Sequence, residues 1–130
     1  MSNRNTMSSL CPQLQPENIM LVNKNSTQIK LIDFGIASKE SDNARTTYGT
    51  QYSSPELIGY DPVTRYSDMW SIGVIAYVLL SGCLPFDGDD MSEILVNVTK
   101  SEWDFNDDVF EVISDVGKDF ISKLIVKEPR

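Results

Sequence analysis

Asp33 closes the apolar run Ile29-Lys30-Leu31-Ile32 and opens the triplet Asp33-Phe34-Gly35. Fifteen residues earlier stands Asn18, in Pro16-Glu17-Asn18-Ile19-Met20-Leu21. Glu56 follows 23 residues later, in Ser54-Pro55-Glu56. An amide oxygen and a carboxylate are hard donors, the kind that hold Mg²⁺ together with waters and phosphate oxygens. Each residue also has a plainer reading. Asp33 suits a turn at a strand end beside the flexible Gly35, and Asn18 alone suits a turn. Glu17 can hold a basic side chain or a ribose hydroxyl, or simply stand exposed. Thr46, Thr47 and Tyr48 can accept a phosphate or serve as ordinary loop hydroxyls.

The elements that must position these groups are short. Ile19 to Val22 and Gln28 to Ile32 are β-prone runs, and Asn23-Lys24-Asn25-Ser26-Thr27 between them is turn chemistry, so a hairpin is predicted. Residues 36–53 are polar and read as a long loop of the kind that carries function. Residues 1–13 have no hydrophobic period and are expected to be a disordered lead-in. From Tyr66 to Ser81 the apolar residues cover every face, which predicts a helix central to a core. Ser67 or Asp68 can cap it, with Gly82 as its stop and Pro85 preventing continuation. Asp90-Met91-Ser92-Glu93 resembles a capping box and opens another helix. A last helix is expected after Ser114 or Asp115, with Phe120/Leu124 and Ile121/Ile125 as i,i+4 pairs. The prediction is a hairpin, a long loop and three helices.

Bulk composition narrows the function. The 130 residues, 41% hydrophobic, suffice for one modest core. A net charge of −8 disfavours nucleic acid and anionic membranes and suits a basic protein partner. With no histidine, His-based acid–base chemistry and His metal ligands are excluded. Cys11 and Cys83 are far apart and form no CxxC pair, so a reducing compartment is expected, cytoplasm or nucleus. No apolar stretch is long enough to span a bilayer, and residues 1–10 lack a signal-peptide core.

From Leu14 onward the chain resembles the C-terminal lobe of a serine/threonine protein kinase, on Asn18, Asp33-Phe34-Gly35 and Ser54-Pro55-Glu56 in that order. Asp68-Met69-Trp70-Ser71-Ile72-Gly73, Ser81-Gly82 and Pro85-Phe86 resemble the calcium/calmodulin-dependent group. Tyr60-Asp61-Pro62, Gly88-Asp89, Asn97-Val98 and Lys118-Asp119-Phe120-Ile121 are similar to the death-associated and related apoptosis-inducing kinases. The resemblance implies a mainly α fold with a small β-hairpin, no N-lobe within residues 14–130, and an activation segment from Asp33 to Glu56. It implies Mg²⁺ on Asn18 and Asp33, ATP at Glu17, Asn18 and Asp33, and a protein Ser/Thr substrate. Gly35, Glu56 and Asp68 take structural roles. Glu56 is the residue that pairs with an Arg in kinases; that Arg is expected past Arg130, leaving Glu56 unpaired or solvated.

Departures from the family bear on activity. Its catalytic loop reads His-Arg-Asp-Leu-Lys-Pro-Glu-Asn, and here the matching residues are Cys11-Pro12-Gln13-Leu14-Gln15-Pro16-Glu17-Asn18. Gln13 stands at the general-base position, where an amide oxygen is too weakly basic to accept a hydroxyl proton. Gln15 replaces the Lys that offsets charge on the transferring phosphoryl group. The stretch from Gly49 to Glu56 is one residue shorter than the family pattern. No Gly-rich loop and no nucleotide-binding strand Lys occur in these 130 residues. The expected outcomes are a kinase-derived chain without catalysis of its own, a binding module that docks a basic partner through its acidic surface and the Asp90–Val98 helix, with Asp89, Asp90 and Glu93 as the charges to reverse, or an unstable truncation product.

Overall fold

The computed structural model describes residues 9–10, 14–33, 38–39, 50–105 and 108–128. Two antiparallel pairs of strands precede a helical body, which makes the fold mainly α with a small hairpin. Strand β1 (Ser9–Leu10) pairs with β4 (Ser38–Lys39), so part of the presumed disordered lead-in is a strand with a fixed partner. Strands β2 (Ile19–Leu21) and β3 (Ile29–Leu31) form the predicted hairpin, with Ile19 opposite Leu31 and Leu21 opposite Ile29. Its turn closes through polar side chains: Asn25 N–H donates to Asn23 Oδ1 at 3.0 Å, and Gln28 N–H to Ser26 Oγ at 3.0 Å. Such Asx and Ser turns are why this composition favours a turn over continued strand.

A short helix, α1 (Pro55–Ile58), stands just past the stretch read as a loop, where no element was predicted; Pro55 at its first position supplies a preset φ and lacks only an N–H that would have no partner anyway. The central helix α2 (Arg65–Ser81) begins one residue earlier than predicted. Its cap is Thr64, not Ser67 or Asp68. Thr64 Oγ1 accepts from Tyr66 N–H at 3.2 Å, and Ser67, three residues on, accepts from Thr64 N–H at 3.3 Å. Ser67 therefore closes a capping box instead of starting the helix. Gly82 ends α2 at φ 73°, a left-handed conformation that costs glycine nothing, and its N–H donates to Val78 C=O at 2.7 Å.

Helix α3 (Met91–Lys100) is capped by Asp90, whose Oδ1 accepts from Glu93 N–H at 2.9 Å. The reciprocal bond is displaced by one residue: Glu93 Oε2 accepts from Asp89 N–H at 2.7 Å. A 3₁₀ turn at Asp108–Val112 leads to α4 (Asp115–Leu124), capped by Ser114 through Gly117 N–H at 3.1 Å.

The core lies along one side of α2. Trp70, Val74, Ile75 and Tyr77 are buried against Phe86, Val98, Phe110, Ile121 and Ile125. Burial of each large apolar side chain contributes about 1.5–3 kcal/mol. Trp70 stacks on Phe86 with centroids 5.6 Å apart, and Tyr77 meets Phe110 at 4.7 Å while its hydroxyl donates to Asp104 C=O at 2.8 Å. Of the expected pairs on α4, Ile121/Ile125 enters the core and Phe120 stays half exposed. A Cβ on Gly73 would sit 2.7 Å from Leu124 Cβ, so glycine is what lets α2 and α4 approach. The far side of α2 differs from the all-round burial its composition suggested. Met69 and Leu79 are exposed, and Leu80 stays half exposed beside Gly117 of α4. Among the described residues no helix is long and apolar enough to cross a membrane.

Candidate functional site

The hairpin brings the backbones of Asn18 and Asp33 to the same end of one strand pair. Pro16–Asn18 forms a 3₁₀ turn with Pro16 at its start, and Asn18 N–H donates to Gln15 C=O at 2.9 Å. This turn feeds directly into β2 with Asn18 buried and Glu17 exposed. On the facing strand, Ile32 N–H donates to Asn18 C=O at 2.9 Å. Asp33 is the next residue, so a separation of 15 positions in sequence becomes adjacency at one end of the hairpin. Asp33 has φ 62°. That left-handed conformation costs a non-glycine residue on the order of 1 kcal/mol, and Asp is among the few that tolerate it.

Asn18 and Asp33 each carry a hard oxygen donor, the residue types that could help hold a cation whose remaining shell comes from waters and a ligand. Among the described residues there is no cluster of three or more His, Cys, Asp or Glu side chains able to cage a metal. Mg²⁺ is commonly held by one or two protein oxygens plus waters and phosphates, a donor set that a buried Asn18 and an exposed Asp33 fit by residue type.

Beside the pair lies a tightly bonded turn. Thr50 N–H donates to Ser53 Oγ at 2.8 Å, Ser53 N–H to Thr50 C=O at 3.0 Å, and Tyr52 N–H to Thr50 Oγ1 at 3.2 Å. Ser71 Oγ, from the middle of α2, donates to Tyr52 C=O at 2.8 Å and ties the turn to the core. Burial pushes the Tyr52 phenol above its ordinary pKa of 10.0, and the negative charge of Glu17 adds to the shift. Glu17 therefore faces the turn electrostatically as well as flanking Asn18.

Glu56 was expected to be unpaired or solvated. It is half-buried and accepts a hydrogen bond from Ser67 Oγ at 2.7 Å, while no cation pairs with it among the described residues. Ser67 and Ser71, four apart on α2, were read only as a helix cap and as part of a family motif; the structure adds that Ser67 bonds Glu56 and Ser71 bonds the Thr50–Ser53 turn, and the i,i+4 spacing of two small hydroxyls on an otherwise apolar helix was the available signal. Asp68 lies half-buried in the first turn of α2. Gln15 precedes the 3₁₀ turn in extended conformation. Gln13, Gly35, Thr46 and Thr47 lie outside the described residues. Asp90 and Glu93, candidates for docking a basic partner, spend their carboxylates on the entry to α3.

Comparison with known proteins adds a family to this geometry. The protein kinase domain matches residues 13–130. Smooth muscle myosin light chain kinase of Gallus gallus is 52% identical over 118 residues, covering 88% of this chain and 6% of the relative. Myosin light chain kinase 2 of skeletal/cardiac muscle from Bos taurus is 48% identical over 120 residues, with 90% and 19% covered. Among solved structures, the twitchin kinase region of C. elegans has a TM-score of 0.87 at 41% identity, covering 95% of this chain and 22% of that one. Titin kinase with its flanking domains gives 0.85 at 36% identity, with 94% and 23% covered. The chain spans about a fifth or less of the length of these curated relatives.

Proposed function

This chain belongs to the protein kinase domain family, and on that premise we propose that Asn18 and Asp33 hold Mg²⁺ against the phosphates of ATP on a chain that does not itself complete phosphoryl transfer. The observation that supports this reading is the Ile32 N–H to Asn18 C=O bond at 2.9 Å, which pairs the Asn18 backbone with the residue preceding Asp33. Glu17, exposed beside Asn18, supplies a further acceptor for a ribose hydroxyl or for a basic substrate side chain. When bound, Mg²⁺ neutralises charge on the phosphate oxygens.

The absence of transfer follows from side-chain chemistry. Gln13 cannot serve as general base and Gln15 carries no positive charge. Within the family, the matches reported above support a serine/threonine kinase of the calmodulin-dependent group, of the myosin light chain kinase, twitchin and titin type. They lend no support to the death-associated assignment drawn from Tyr60-Asp61-Pro62 and the other short stretches. Protein Ser/Thr is the substrate class of the parent activity.

A phosphoryl-transfer assay tests this. The 130-residue chain with Mg²⁺, labelled ATP and Ser/Thr peptides is expected to transfer nothing. The chain fused behind a kinase N-lobe, with Gln13→Asp and Gln15→Lys, is expected to turn over. Turnover by the unaltered chain contradicts the proposed loss of catalysis, and a repaired fusion that folds yet stays inert counts against the kinase-derived site.

A further inference from the structure

We draw no further inference here: the strongest candidate, the polar cleft between the Pro85–Asp87 loop and the end of α3, is lined by Asn97 and the exposed charges of Asp87, Lys100 and Glu102, and nothing in the structure shows what ligand such a group of surface charges would hold.

Discussion

Ser67 donates its hydroxyl to Glu56 Oε1 at 2.7 Å while accepting the Thr64 N–H at 3.3 Å. One side chain thus completes the cap of the central helix and holds the carboxylate of Ser54-Pro55-Glu56 against it. Hydrogen bonds to charged groups are worth about 1.5–3 kcal/mol. Ser67→Ala is expected to lower unfolding stability by that amount in urea titrations. In a Glu56→Gln background the same substitution costs less; an equal cost in both backgrounds contradicts the coupling.

Gly73→Ala tests the approach of α2 to α4. Helix propensity alone favours alanine by about 1 kcal/mol. The added methyl, however, meets Leu124 Cβ at 2.7 Å and Ile125 Cγ1 at 2.8 Å, and overpacking of this kind costs about 1–3 kcal/mol. A lower melting temperature is expected, and a higher one would mean the two helices are not this close.

Ser54→Ala is expected to stabilise the chain, against the usual rule for a residue preceding a helix. Ser54 Oγ is buried without a hydrogen-bond partner and makes no cap bond to α1. Removing a buried unsatisfied hydroxyl recovers about 1 kcal/mol. A loss of stability in urea unfolding would show that this hydroxyl has a partner.

The raised pKa of Tyr52 sets an alkaline limit. Its folded-state pKa exceeds the unfolded value, so between the two the folded state binds more protons. The associated stability is fully present below pH 10.0 and is lost as pH rises through the folded pKa. Glu17→Gln removes the second cause of the shift and is expected to make the alkaline fall in melting temperature shallower. An unchanged profile contradicts the Glu17–Tyr52 interaction.

The hairpin, α2 with its Gly82 stop, and the caps of α3 and α4 could be read from local sequence because turn chemistry and apolar period agree there. Thr64 could not be singled out as the cap of α2. Thr64, Ser67 and Asp68 are all capping types, and only the paired bonds of Thr64 and Ser67 separate a cap from the third residue of a capping box. The pairing of Ser9–Leu10 with Ser38–Lys39 is a long-range contact between two-residue segments with no period to announce it. At the site, residue types named Asn18 and Asp33, but their adjacency depends on hairpin register, and the positive φ of Asp33 leaves no mark in composition. Glu56 has no cation partner among the described residues, as expected, but its bond to the Ser67 hydroxyl 11 residues away depends on how α1 meets α2 and has no local signature.

Thermal unfolding of the 130-residue chain with Mg²⁺-ATP, with ATP and a chelator, and without nucleotide tests the central claim most directly. A ligand that binds only the folded state stabilises it by about 2.7 kcal/mol at a concentration of 100 dissociation constants. The account predicts a melting temperature raised by Mg²⁺-ATP, a rise lost with the chelator, and a rise lost in Asp33→Asn, which keeps a side chain tolerant of the left-handed φ but removes the charge. A cooperative transition indifferent to Mg²⁺-ATP, or a rise that survives unchanged in Asp33→Asn, contradicts it.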